Sequence, residues 1–292
     1  MKKLKFKIGD EIFYVWHIKG PVSAPILHWF HANGLNAGTY ENLLMELSTS
    51  FTVYAWDARA HGLNSNLTLP SKHTIFEQYT KDLVGLTNLL FEKHSTPIIL
   101  AGHSLGATIC IKAEKALRGK ISHLVLADPV LFTPFVTKVS QILRWLKFSK
   151  PKNLYLAQNA AKRLNKWPTK KDALVYLSEK NLFKNWDDRS IKNYVKYGTT
   201  DTIKHVHLRC PPRVESLIFE ESEYEFLAKE ITQISTDTHV YLAAKGSPAF
   251  AKKAFTKIKK KKIIEILEST SHLFPIEEYR RFSAEISKNT IS

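Results

Sequence analysis

The 292-residue chain predicts an α/β fold: a mostly parallel central sheet flanked by helices, with an inserted helical cap. Three observations carry this expectation. Short apolar runs rich in β-branched and aromatic residues alternate with amphipathic helical stretches. The runs are apolar on both faces, as strands covered by helices on both sides must be. The rhythm then breaks over residues 131–234, where helical patterns continue without a clear buried strand. The expected organisation is a core of residues 1–130 and 235–292 and a cap of residues 131–234.

The elements follow in order. KLKFKIGDEIFYVWHI (3–18) reads as a hairpin turning near Gly9 and Asp10, and PILHWF (25–30) as a short buried strand. TYENLLMELS (39–48) is an amphipathic helix, with Thr39 as N-cap and Leu43, Leu44 and Leu47 on one face. FTVYAW (51–56), PIILA (97–101) and SHLVLA (122–127) are strands, separated by helices over 73–94 and 104–117. THVYLAA (238–244) and KKIIEIL (261–267) are later strands, and IEEYRRFSAEIS is the last helix. The interval between them is rich in aromatics: Trp145, Tyr155, Trp167, Tyr176, Phe183, Trp186, Tyr194 and Tyr197.

Composition narrows the function classes. No stretch approaches 18 uninterrupted apolar residues, so no membrane span is expected. The start, MKKLKFKIGDEIF, has lysines but no apolar segment after them, so no secretory signal is expected. Cys110 and Cys210 stand far apart in no metal-ligand spacing, which suits a reducing cytoplasm. The net charge of +16 peaks in KKAFTKIKKKK (252–262). Arginine is absent from that run and no nucleic-acid motif accompanies it, so it reads as a solvated surface. Weak electrostatic contact with an anionic membrane is the alternative role.

The chemistry sits on turns. LAGHSLGA (100–107) holds Gly102-His103-Ser104-Leu105-Gly106, a G-x-S-x-G between a strand and a helix. A sharp strand-to-helix turn strains Ser104 and exposes its hydroxyl, and the glycines leave room for the turn. HANGLNAG (31–38) also joins a strand to a helix. Such a loop supplies one backbone N–H to an oxyanion hole, the other coming from the residue after the nucleophile. The expected donors are Leu35 and Leu105, with Asn33 as the alternative to Leu35. In DARAHGLNS (57–65), Asp57, Arg59 and His61 read as a structural network.

Together, FHANGLNAGTY, WDARAHGLNS, LAGHSLGA, LVLADPV and STSHLFPIEE, in this order, resemble the α/β-hydrolase superfamily in its cap-bearing branch. AAKRLNKWP, FKNWD, YVKYG and VHLRCPPRVES are similar to a lipase- and esterase-like subgroup that includes peroxisomal lipases and fungal toxin-pathway hydrolases. Ala60 stands where the family usually has glycine.

The resemblance implies a Ser–acid–His order along the chain. His272, in STSHLFP after the last strand, is the expected base. His28, His31 and His61 read as loop braces, His103 as pointing elsewhere, and His205 and His207 as cap surface. The family usually places its acid in a Gly-x-x-Asp after the strand that follows the cap. Here that stretch is VYLAAKGSPAF, with Ala244 at the glycine and Ser247 at the acid. Asp237 precedes the strand, at the wrong end of the sheet. Asp128, ending LVLAD beside the nucleophile's strand, is therefore the expected acid, as in some members of the superfamily. The resulting expectation is a serine hydrolase with triad Ser104, Asp128 and His272, needing no metal or cofactor. Its substrate is expected to be an ester of an apolar small molecule or lipid. Thioester or C–C bond cleavage and a non-catalytic ligand-binding protein of the same fold are the competing readings.

Overall fold

The computed structural model of the chain describes residues 1–71, 74–131, 152–222, 227–245, 248–258 and 262–291. Trp145, Ser247 and residues 259–261 of the basic run lie outside them. The first hairpin is β1 (Lys2–Ile8) and β2 (Glu11–Ile18), paired in register from Lys2 with His17 to Ile8 with Glu11. The remaining core strands are β3 (Ile26–Phe30), β4 (Thr52–Trp56), β5 (Ile98–His103), β6 (Ile121–Ala127), β10 (Asp237–Ala243) and β11 (Lys262–Leu267). They form one sheet in the order β1-β2-β4-β3-β5-β6-β10-β11. From β4 to β11 every neighbouring pair is parallel.

Strand alternation divides the core into two layers. Ile26 and Phe30 of β3, Ile98 and Leu100 of β5, Leu124 and Leu126 of β6, and Val240 and Leu242 of β10 face one apolar cluster. Helices α2 (Ile75–His94) and α3 (Leu105–Glu114) supply the other side of that cluster. Leu27, Trp29, Ile99, Ala101, Val125, Ala127, Tyr241 and Ala243 face the opposite one. There α1 (Glu41–Leu47) contributes Leu43, Leu44 and Leu47, all fully buried, each stabilising the fold by about 2 kcal/mol. Helices α10 (Phe274–Glu277) and α11 (Tyr279–Thr290) complete this layer with Phe274, Phe282 and Ile286.

Thr39 is not the N-cap of α1. A 3-10 turn, Ala37–Tyr40, precedes the helix, and Asn36 caps it by accepting the Thr39 N–H at 3.0 Å. The turn starts three residues earlier than apolar spacing alone suggests, because Ala37, Gly38 and Tyr40 are themselves buried.

Between β6 and β10 lie α4 (Lys152–Ala161), α5 (Lys170–Ser178), α6 (Asp188–Gly198), α7 (Pro212–Ser222) and α8 (Ala228–Gln233); α9 (Pro248–Phe255) follows β10. This stretch is not purely helical. Strands β7 (Lys166–Trp167), β8 (Thr199–Asp201) and β9 (Val206–Leu208) form a separate antiparallel sheet. At two or three residues each, they are too short to show an alternating pattern in sequence. Trp167, Phe183, Trp186 and Tyr194 are 1–6 % exposed and pack with the second apolar layer. Phe183 meets Trp186 and Tyr194 with ring centroids at 4.8 and 5.1 Å.

Candidate active site

Parallel strands end on the same side of a sheet, so the loops after β3, β4, β5, β6, β10 and β11 gather along one edge. At the end of β5, Ser104 takes φ 55° and ψ −113°, a strained backbone for a non-glycine residue. Its neighbours make the turn possible. A Cβ on Gly102 would lie 2.5 Å from the Gly106 carbonyl carbon, and one on Gly106 would collide with the Phe30 carbonyl. The Ser104 N–H donates to the Ala127 carbonyl at 2.9 Å, extending the ladder to β6, and the Ser104 carbonyl accepts the Thr108 N–H at 3.0 Å.

His272 reaches the serine from the loop after β11. Its Nε2 is 2.9 Å from Ser104 Oγ, and its Nδ1 is 2.6 Å from Asp128 Oδ2. A carboxylate only accepts, so Nδ1 carries the proton and Nε2 is left to accept from the serine hydroxyl. Asp128 sits at φ 42°, one residue beyond β6. Its N–H donates to the Tyr241 carbonyl at 2.8 Å, and its Oδ1 accepts the Ala243 N–H at 3.1 Å. The backbone of β10 thus holds one carboxylate oxygen and leaves the other for the histidine. Asp237 begins β10, paired with His123, at the opposite edge of the sheet. Ser247, the position of the usual acid, falls outside the described residues.

The loop after β3 corrects one expectation. The Leu35 N–H donates to the Ala32 carbonyl at 3.1 Å, closing a turn, and is not available to an oxyanion. The Ala32 N–H donates to Tyr40 Oη at 3.2 Å and the Gly34 N–H to His61 Nε2 at 3.4 Å. Among the described residues, no acceptor meets the Asn33 N–H. Leu105 opens α3, where a first-turn N–H has no partner within the helix.

The other histidines along this edge are fully buried, whereas the His272 side chain is 44 % exposed. His31 donates from Nδ1 to the Ala32 carbonyl at 2.8 Å and accepts the Ala58 N–H on Nε2 at 2.9 Å, tying the loops after β3 and β4. Burial pushes His61 down to about 4 and His28 down to about 3, so neither is charged at neutral pH. Arg59 is held bidentately by Asp82 at 2.8 and 2.9 Å and by Glu11 at 2.7 and 3.0 Å, the structural network expected of that loop.

Sequence reasoning missed the partners that bind this edge from the segment between β6 and β10. Asn33 Nδ2 donates to the Glu215 carbonyl at 3.0 Å. The Glu215 carboxylate covers Gly34, where a Cβ would lie 2.6 Å from its Cδ. Glu215 is paired with Arg163, which also donates to Tyr194 Oη at 2.7 Å. These three residues lie far apart in sequence, and no local spacing announces them. Also missed was the hydrogen bond between Tyr40 Oη and His103 Nδ1, at 2.7 Å. Among the described residues, no group of His, Cys, Asp and Glu could hold a metal ion, and no helix is long and apolar enough to cross a membrane.

Known proteins share this fold. A curated relative, 2-(acetamidomethylene)succinate hydrolase of Mesorhizobium japonicum, is 33 % identical over 114 residues, covering 39 % of this chain and 38 % of that protein. The matched region thus spans little more than a third of the relative's length. A crystal structure of E-2-(acetamidomethylene)succinate hydrolase superposes with a TM-score of 0.78 at 19 % identity, covering 100 % of this chain and 99 % of that one. A peroxisomal alpha-beta-hydrolase from Saccharomyces cerevisiae superposes at 0.75 with 14 % identity, covering 99 % and 88 %. The family model described as "Serine aminopeptidase, S33" matches residues 23–185, more than half of the chain. The chain therefore belongs to this serine hydrolase family and has the α/β-hydrolase fold.

Proposed function

We propose that the protein cleaves a carboxylic ester, or a related acyl bond, of a small-molecule or lipid-like substrate through an acyl-enzyme. The observation that carries this reading is the hydrogen-bonded chain Ser104–His272–Asp128 on a strained strand-to-helix turn. Ser104 Oγ attacks the carbonyl carbon as His272 Nε2 takes its proton, and Asp128 stabilises the resulting imidazolium. The N–H groups of Asn33 and Leu105 hold the oxyanion, each such donor contributing about 10²–10³ in rate. His272 then protonates the leaving group, activates a water against the acyl-enzyme and returns the proton to Ser104.

Residues 131–234 act in this reading as a cap. The contacts of Glu215 with Asn33 and Gly34 support it, as does Tyr197, which crowds Gly38 of the same loop. Trp167, Phe183, Trp186 and Tyr194 are buried and pack with the second apolar layer, so the aromatics of this segment do not by themselves argue for an apolar substrate. The test is therefore a panel of short, long and charged acyl esters, thioesters and amides, run on wild type and Ser104→Ala. Turnover of at least one ester class, lost in Ser104→Ala, is expected. Equal turnover in a folded Ser104→Ala protein would end the reading. No turnover of any class would favour a ligand-binding protein.

A further inference from the structure

The residue preceding the nucleophile ends β5 on the same strand face as Ile99 and Ala101, and its ring is fully buried. His103 Nε2 lies 2.8 Å from the His272 carbonyl oxygen. A carbonyl only accepts, so Nε2 carries the proton and Nδ1 is an acceptor. The Tyr40 hydroxyl, 2.7 Å from Nδ1, donates to it, and Tyr40 Oη in turn accepts the Ala32 N–H at 3.2 Å. Every proton in this chain has one direction. It joins three separate loops: the histidine loop after β11, the turn carrying Ser104, and the loop after β3 that holds the Asn33 N–H.

We propose that His103 is a positioning residue for the hydrolase chemistry. It fixes the backbone of His272 against Ser104 and, through Tyr40, keeps the Asn33 loop in register with both. The proposal rests on reading Ser104 as the nucleophile.

Two features favour this role over simple core packing. The other hydrogen bonds of the histidine loop bypass the backbone of residue 272. Thr270 Oγ1 donates to the Leu267 carbonyl at 2.6 Å, and the Thr270 carbonyl accepts the Lys245 N–H at 3.3 Å. Ser271 Oγ donates to Glu277 at 2.6 Å and accepts the Leu273 N–H at 3.0 Å, and the Ser271 carbonyl accepts the Phe274 N–H at 3.1 Å. None grips residue 272 itself, whose half-exposed ring must stay within hydrogen-bonding reach of two partners. The second feature is charge. The rings of His103 and His272 are 5.0 Å apart, and a cation on His103 would oppose the imidazolium formed during reaction. Burial, reinforced by His272 and His31 nearby, holds His103 well below the usual histidine range and so keeps it neutral.

The experiment compares His103→Phe, His103→Gln and Tyr40→Phe with wild type, reading kcat, KM and the rate of fluorophosphonate labelling at Ser104. His103→Phe keeps a ring but has no donor. It should lower kcat and labelling about 100-fold, the scale of a small misplacement of reacting groups, with KM nearly unchanged. His103→Gln, whose amide can reach the His272 carbonyl, should recover about tenfold of that loss, and Tyr40→Phe should be the mildest, its effect less than additive with His103→Phe. Wild-type kcat and labelling in a folded His103→Phe protein, or a loss confined to KM, would overturn the proposal. If that variant does not fold, Tyr40→Phe and His103→Gln decide: wild-type labelling in both overturns it. Absence of labelling at Ser104 in wild type would instead remove the nucleophile reading on which the proposal stands.

Discussion

Two strands of the sheet end in the same way and lead to different chemistry. β4 runs from Thr52 to Trp56 and is followed by Asp57; β6 runs from Ile121 to Ala127 and is followed by Asp128. Both carboxylates stand on the edge that carries Ser104. Asp57 is 1 % exposed, and the backbone consumes both its oxygens: Oδ1 accepts the Ala37 N–H at 2.6 Å and Oδ2 the Leu63 N–H at 2.7 Å. Asp128 gives one oxygen to Ala243 and keeps the other for His272. Position in the sheet decides the outcome. β6 lies directly beside β5 on the side of β10 and β11, from which the histidine loop comes, whereas β3 separates β4 from β5. In the proposed mechanism Asp128 serves His272 because the sheet order brings their two loops together and one of its oxygens remains free.

The largest expected effect tests the Asp128 side of this contrast. His272→Ala should lower kcat by about 10⁶, because triad members act as a unit. Asp237→Asn should leave kcat near wild type, since that residue lies at the other edge; a crippling loss there would place the acid elsewhere. Next in size is a stability effect on the Asp57 side. Burial pushes the Asp57 carboxyl up to about 6 from an ordinary 3.8. Between those values the folded protein binds more protons than the unfolded chain, so this group's contribution to stability falls as pH rises. A shift of about two units corresponds to about 3 kcal/mol. Urea midpoints of wild type should therefore fall relative to Asp57→Asn between pH 4 and 6; parallel curves would show that Asp57 does not titrate there. The smallest effect is in the same loop. Ala60 adopts φ 62°, a left-handed conformation costly to any residue with a Cβ. Ala60→Gly should raise stability by up to about 1 kcal/mol, after the larger unfolded-state entropy of glycine is counted, seen as a Tm increase of a few degrees.

What could be read from sequence follows from the range of the forces involved. Strands β3 to β6 are buried on both faces and announce themselves as apolar runs. The turn at Ser104 is legible because a local steric constraint requires Gly102 and Gly106. Asp128 is legible as the candidate acid only through the family resemblance, since VYLAAKGSPAF offers no carboxylate where the family usually keeps one. The failures are non-local or depend on a single hydrogen bond. Leu35 and Asn33 are equivalent in sequence until the Leu35 N–H is seen closing a turn on Ala32. Thr39 and Asn36 are both good caps, and only the 3-10 turn between them selects Asn36. Arg163, Tyr194 and Glu215 meet through the packing of α4, α6 and α7, which no local spacing encodes. The aromatics between β6 and β10 are legible by composition, but not which of them join the second apolar layer, as Trp167, Phe183, Trp186 and Tyr194 do.

The most direct test of the account is kcat near neutral pH for Asp128→Asn beside Asp57→Asn, on the best substrate of the acyl panel. An amide keeps the shape of Asp128 but cannot hold His272 in the required tautomer, and kcat should fall by about 10⁴. Asp57→Asn should stay within about tenfold of wild type where it is folded, because its loop braces the site without touching the triad. A nearly silent Asp128→Asn would contradict the account and leave a Ser104–His272 dyad, with Asp128 as the end of a strand.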